Sequence, residues 1–469
     1  MTKIKKNFVL ECLEVIDIST EGKAIAKHDG LVVFIDGAVP GDIVDVMVYR
    51  KKNNLAEGKV HKMIKFSELR TTQKCEHFGT CGGCKWQNLA YANQLEFKQK
   101  YVYDAFTRIG KLNFTEIMPI LSNSEEYYYR NKLEFGFSNK KWLTNEQIAS
   151  NQDVENKNGL GYHIAGLFDK ILDISNCYLQ PEPSNSIRNA VREYALRNKL
   201  SFFDIRNKQG LLRTLLIRTT STGEIMVVVS VFEWLEKELF GLLDFLKINF
   251  PQITSLQYTH NSKGNDTFYG LEIITYYGRD YILEEMEGLK FKISAKSFYQ
   301  TNSKQAYNLY NITRNFADLN GNEIVYDLYT GTGTIANFIA KQAKQVVGIE
   351  YVEDAIKDAI ENSEANNIKN TKFFAGDMKD VLNDSFIEAN GKPDVIITDP
   401  PRAGMHEDVI KVILTILPKK IVYVSCNPST QARDLAFFET NYEIVKVQPV
   451  DMFPQTAHVE NVVLLDRKN

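Results

Sequence analysis

Cysteine, tryptophan and surplus positive charge are all scarce in this 469-residue chain, which has six cysteines, three tryptophans and a formal net charge of −3. No apolar run approaches the roughly 20 residues that a membrane helix needs, so no membrane partner is expected. The opening M-T-K-I-K-K-N-F-V-L-E-C-L-E carries lysines, but Glu11 and Glu14 interrupt any leader-like core. A cytoplasmic protein is expected. Its balanced charge does not advertise nucleic-acid binding, which would need a local basic surface. Six cysteines in such a chain argue against disulfides and for metal, cluster or catalysis. The hydrophobic share of 44% and charged share of 25% are those of a globular protein. Its length implies roughly two to four domains.

Residues 1–65 alternate short apolar runs (Phe8–Leu10, Leu31–Ile35, Ile43–Val48) with turn glycines and Pro40. Strands so closely spaced predict a small β-barrel. G-A-V-P-G-D between two of them resembles the TRAM domain, an OB-like barrel that binds RNA. Lys23, Lys27, Arg50, Lys51, Lys52 and Lys59 are candidates for phosphate contacts.

In residues 66–290 an α+β domain is expected. C-E-H-F-G-T-C-G-G-C places Cys75, Cys81 and Cys84 in a C-x5-C-x2-C pattern, one thiolate short of a closed site. Cys12, Cys177 and Cys426 are the candidates for the fourth. Cys177 stands before a proline turn suited to returning toward the other three. Spacing leaves zinc and [4Fe–4S] both open. Leu89–Gly110 reads as an amphipathic helix with Leu95, Val102, Ala105, Phe106 and Ile109 near one face. Y-Y-Y-R-N-K-L-E-F-G-F reads as a strand offering Arg130 and Lys132 to phosphate. Ser138–Gly161 reads as an exposed insertion or long hairpin.

Residues 291–469 read as a doubly wound α/β domain. The strand Ile324–Leu328 runs into Y-T-G-T-G-T, and a second strand ends in Glu350, the pattern of a nucleotide-cofactor crevice. That pattern alone leaves NAD open. Gly376-Asp377, the rigid D-P-P-R turn holding Asp399, and a fifth strand ending at Cys426 favour S-adenosylmethionine. Cys426 alone reads first as a packed thiol, and Glu460 alone as a surface acid capping a strand. Their joint position at the ligand edge of the sheet makes them a candidate nucleophile and base.

F-Y-Q-T-N, D-L-Y-T-G-T-G-T, G-I-E, D-P-P-R, S-C-N-P-S-T-Q-A-R-D and D-M-F-P-Q-T-A-H-V-E together resemble the RNA (uracil-5-)-methyltransferases. With the cysteine pattern and the TRAM-like start, the chain resembles the branch that carries a [4Fe–4S] cluster and methylates 23S ribosomal RNA. The resemblance implies a multidomain α/β chain with an N-terminal barrel, a central iron–sulfur domain and a C-terminal Rossmann-like methyltransferase domain. It implies that Gln300, Tyr329, Glu350 and Asp399 bind S-adenosylmethionine, that Cys426 attacks and that Glu460 is the base. Cys75, Cys81, Cys84 and Cys177 would hold the cluster, and Cys12 would only pack. No obligate protein partner is inferred. Thr330 departs from the pattern, many members having cysteine there, with no functional consequence expected.

Overall fold

Period-two burial builds the first unit. The computed structural model describes residues 8–143, 145–150, 156–164 and 166–468. Strands β1 (Phe8–Ile18), β2 (Ala24–His28), β3 (Leu31–Asp36), β4 (Ile43–Lys52) and β5 (Leu55–Lys65) close into a barrel in the order β1-β2-β3-β5-β4. Val33, Ile35, Val44 and Val46 point inward and are fully buried, while their neighbours alternate outward. Cys12 departs from expectation. It is exposed, at a positive φ of 54° beside a break in the β1–β4 register, and its N–H donates to Asp45 Oδ1.

The middle of the chain forms a seven-stranded sheet from β6 (Lys132–Ser138), β7 (Gly159–Ile164), β8 (Leu167–Asp173), β9 (Leu212–Thr219), β10 (Ile225–Val231), β11 (Ser255–His260) and β12 (Ile274–Gly278). Its order is β12-β11-β10-β9-β6-β7-β8. Alternate residues of β9 and β10 feed two cores. Leu215, Ile217, Val227 and Val229 pack with the central helices, whereas Leu216, Met226 and Val228 join the C-terminal core. Burial on both faces explains why these strands read as unbroken apolar runs. The expected strand at Tyr127 starts only at Lys132. The expected insertion contains the short helix Asn145–Ala149 and the pairing of β6 with β7, and its residues 144 and 151–155 lie outside the described residues.

A hairpin, β13 (Tyr281–Met286) and β14 (Leu289–Ser294), packs on the C-terminal core. That unit is a second seven-stranded sheet: β15 (Ile324–Leu328), β16 (Gln345–Glu350), β17 (Thr371–Ala375), β18 (Val395–Thr398), β19 (Lys420–Ser425), β20 (Tyr442–Val450) and β21 (Glu460–Arg467). The order is β17-β16-β15-β18-β19-β21-β20, with β15 to β19 parallel and β21 antiparallel to both neighbours. The order reverses at β15, so a crevice opens at the carboxyl ends of β15, β16 and β18.

The helix expected over Leu89–Gly110 runs from Tyr91 to Asp104 and continues as a π-helical turn, Ala105–Gly110. Of the expected apolar face, Val102, Ala105 and Phe106 are buried, whereas Leu95 is half-buried and Ile109 is 53% exposed; the polar Gln94 and Lys98 complete the buried stripe. The extra residue per turn after Asp104 rotates the following side chains, bringing Phe106 into the core and leaving Ile109 outside.

Candidate active site

Cys426 leaves the end of β19, and Asn427 then caps the helix Pro428–Ala436 by accepting from the Ser429 N–H at 3.2 Å. Ser425 pairs with Asn461 as the last rung of the antiparallel β19–β21 ladder, so Cys426 and Glu460 flank that rung, close enough for the Glu460 charge to act on the thiol. Glu460, only 5% exposed, is the first residue of β21. Burial pushes its carboxyl up to about 8, helped by the charge of Asp399 and opposed by Arg402. Burial likewise pushes the Cys426 thiol up to about 12, with Glu460 and Asp399 adding to the rise and Arg402 opposing it. Asp399 follows β18, and burial with the neighbouring Asp327 brings it to about 7. The structure thus brings Cys426, Glu460 and Asp399 together at one sheet edge.

The cofactor candidates line the adjoining crevice. Glu350 Oε2 accepts from the Gly331 N–H at 3.2 Å and Oε1 from the Val352 N–H at 3.0 Å. Each oxygen keeps a lone pair, so the carboxylate can still take ribose hydroxyls. Tyr329, half-buried, stands in the left-handed region at φ 63° and starts the turn. A Cβ on Gly331 would meet nothing within 4 Å, so the turn faces open space, whereas one on Gly333 would lie 2.8 Å from Ala359 Cβ. Gln300 is 9% exposed; its carbonyl is held by Asn131 Nδ2 at 2.9 Å, and its amide makes no hydrogen bond among the described residues. Asp327 Oδ1 and the Tyr299 hydroxyl are buried without partners. Open space, an uncommitted amide and orphaned polar atoms fit a polar cofactor such as S-adenosylmethionine. Asp377, by contrast, caps the helix Met378–Val381 and pairs with Lys379 at 3.3 Å.

Sequence reasoning gave Asp327 no role. Its Oδ2 accepts from Thr330 Oγ1 at 2.5 Å and from the Ala336 N–H at 3.1 Å, so it holds the glycine turn from beneath. An acid inside the apolar I-V-Y-D-L was the available signal. Arg402 stood in the quoted D-P-P-R without a role, yet its charge acts on both Cys426 and Glu460.

The four cysteines expected to act together converge. Cys81 and Cys84 pack against the core that contains buried Cys177, and Cys75, Cys81 and Cys84 each feel the charge of Cys177. Burial, reinforced by the neighbouring thiols, pushes Cys81 up to about 11 and Cys84 to about 12. Among the described residues no group of three or more His, Cys, Asp or Glu is closed to metal-ligand spacing. By chemistry alone the four sulfurs are soft donors of the kind that ligate zinc or an iron–sulfur group, and the buried guanidinium of Arg188 acts on Cys177 beside them. Of the expected phosphate ligands, Lys23 and Arg50 are paired with Glu57 and Lys132 with Glu134, while Arg130 lies over the Phe453 ring at 5.1 Å.

Residues 274–468 match the family described as tRNA (Uracil-5-)-methyltransferase, and residues 13–61 match the TRAM domain. A relative from Bacteroides thetaiotaomicron, described as an uncharacterized RNA methyltransferase, is 57% identical and covers 96% of this chain and 100% of its own. One from Chlorobaculum tepidum, described likewise, is 37% identical over 99% of this chain and 98% of its own. The crystal structure of Pyrococcus abyssi tRNA (uracil-54, C5)-methyltransferase in complex with S-adenosyl-L-homocysteine is similar with a TM-score of 0.74. It is 28% identical, over 96% of this chain and 99% of that one.

Proposed function

Since the chain belongs to the tRNA (uracil-5-)-methyltransferase family of RNA methyltransferases, with a TRAM domain, we propose that it methylates carbon 5 of a uridine in 23S ribosomal RNA through a covalent Cys426 adduct. The observation that carries this reading is Cys426 beside Glu460 at the end of the β19–β21 ladder, near enough to feel its charge. Carbon 5 of uracil is a poor nucleophile. Addition of the Cys426 sulfur to carbon 6 pushes electron density to carbon 5 as an enolate. Asp399, whose charge acts on Cys426, takes the thiol proton as the carbon–sulfur bond forms. S-adenosylmethionine, held by Gln300, Tyr329, Glu350 and Asp399, supplies the methyl group when bound. Glu460 then removes the carbon 5 proton, the carbon–sulfur bond breaks, and Asp399 returns its proton to the thiolate.

Cys75, Cys81, Cys84 and Cys177 hold a [4Fe–4S] cluster in this reading. Methyl transfer is redox-neutral, so the cluster serves as a staple or an RNA platform. The four-thiol arrangement beside the barrel favours ribosomal RNA by resemblance. Transfer RNA is the second reading, favoured by the named substrate of the Pyrococcus abyssi neighbour.

Two variants test the chemistry. Cys426→Ala loses methylation and any RNA adduct that survives denaturation. Glu460→Gln forms the methylated adduct and fails to release it, giving a slow-migrating band on a denaturing gel. Free turnover by Glu460→Gln removes the base assignment. Mapping 5-methyluridine in ribosomal and transfer RNA from cells with and without the protein decides the substrate.

A further inference from the structure

The segment Asp451–Val459, D-M-F-P-Q-T-A-H-V, delivers Glu460 to the site but forms no strand of its own. Its backbone is held instead by groups from distant parts of the chain. Asp451 takes Lys98 Nζ at 2.5 Å and the Tyr91 hydroxyl at 2.7 Å, and Lys98 also donates to the Phe453 carbonyl at 3.0 Å. Asn302 Nδ2 donates to the Met452 carbonyl and the Tyr129 hydroxyl to that of Pro454.

Gln455 is the most tightly gripped residue of the segment. It is 2% exposed and left-handed at φ 66°. Its carbonyl accepts from the N–H groups of Lys85 at 2.8 Å and Trp86 at 3.1 Å, the two residues that follow Cys84. Its N–H donates to Gln94 Oε1 at 2.9 Å, and Gln94 Nε2 returns a bond to Gln455 Oε1 at 3.0 Å. The same Gln94 amide, fully buried, also donates to the carbonyls of Trp86 and Leu89. One glutamine therefore ties the end of the cysteine loop to the turn five residues before the candidate base. Ala457 adds an apolar contact with Trp86 and Leu89.

We propose that Gln94 and the Lys85–Trp86 end of the cysteine loop are positioning residues, which fix Gln455 and so aim Glu460 at the carbon 5 proton. This rests on the reading of Glu460 as the base. The cysteine loop then governs release of the methylated RNA and not its attachment, because Cys426 is carried by β19 and the helix after it, which the helix bearing Gln94 reaches through Tyr101, bonded to Asn427 and Ser429, and not through Gln94. The effect is specific to the step at which the carboxylate acts.

Single-turnover measurements on the full chain separate the two steps: attachment, read as denaturation-resistant adduct, and release, read as its decay to free methylated RNA. Gln94→Met, of similar length but without the amide, is expected to attach within about two-fold of wild type and to release about 10- to 100-fold more slowly. Gln455→Gly keeps the left-handed turn but frees it, and is expected to shift the same ratio by a smaller factor; it carries the test if Gln94→Met does not fold. Wild-type release in the folded variants, or equal slowing of both steps, overturns the proposal. Glu460→Gln distinguishes the two levels. If it releases RNA freely, the reading of the base fails; if it holds the adduct while Gln94→Met and Gln455→Gly release normally, only the positioning inference fails.

Discussion

At Glu460, the burial that keeps the carboxyl protonated near neutrality also makes it a stronger base once it ionises. With its value pushed up to about 8, about a tenth is ionised at pH 7 and about half at pH 8. Release of methylated RNA is therefore expected to accelerate as pH rises toward 8 and to level off above it, a profile that single-turnover release measured across pH 6–9 will show. Asp327 and Asp399 add a stability consequence. Both are raised to about 7, so the native state binds more protons than the unfolded chain between about pH 4 and 7. Their contribution is full below the unfolded value and lost as pH rises through 7. Thermal melts are expected to fall from pH 6 to pH 8.5, and Asp399→Asn to fall less. The placement of Cys426 and Glu460 at one sheet edge was legible because each stands in a short motif at a strand end. Asp327 was not, since an acid inside an apolar strand carries no sign of which turn it braces.

The helix Tyr91–Asp104 shows where an element's face escapes its periodicity. Apolar spacing picked out Val102, Ala105 and Phe106, which are buried, and Leu95 and Ile109, which are not, whereas Gln94 and Lys98 are buried without an apolar signal. A polar stripe is buried because each group finds a partner in the Asp451–Gln455 segment, more than 300 residues away, and nothing local announces those partners. Lys98 and Asp451 form an ion pair with both side chains fully buried. Lys98→Met is expected to destabilise by about 3–5 kcal/mol, because Asp451 is left charged and buried, and adding Asp451→Asn to recover part of that loss. Urea unfolding of the single and double variants measures both. In the glycine turn, Gly333→Ala forces a Cβ against Ala359 at a φ of 72°. A loss of S-adenosylmethionine affinity, read by calorimetry, is the expected result. The parallel strands β15 to β18 of the C-terminal sheet were legible to within a residue or so, since an apolar run ending in a turn motif marks both the strand and its ligand edge, whereas β20, which has no such motif, was not.

Across the whole molecule, the barrel, the central sheet and the C-terminal sheet are joined by specific polar contacts. Arg70 bridges to fully buried Asp42 of the barrel at 2.6 Å, and Trp86 Nε1 donates to the Gly22 carbonyl. The sequence announced three units but not their docking, which depends on pairs far apart in the chain. With Lys23 and Arg50 sharing Glu57 in ion pairs, the exposed Lys51 and Lys52 are the stronger candidates for RNA phosphate. Replacing both with Ala is expected to lower the salt slope of RNA affinity by about one per lysine while leaving cofactor binding unchanged. The antiparallel pairing of β19 with β21 has a wider meaning for how this chain tolerates change. Two candidate groups set at the end of one paired ladder are insulated from the length of the polypeptide between its strands. Insertions at the exposed Thr440 of the turn before β20 can accumulate without altering their separation, whereas deleting one residue inside either strand shifts the register that brings the two candidate side chains together.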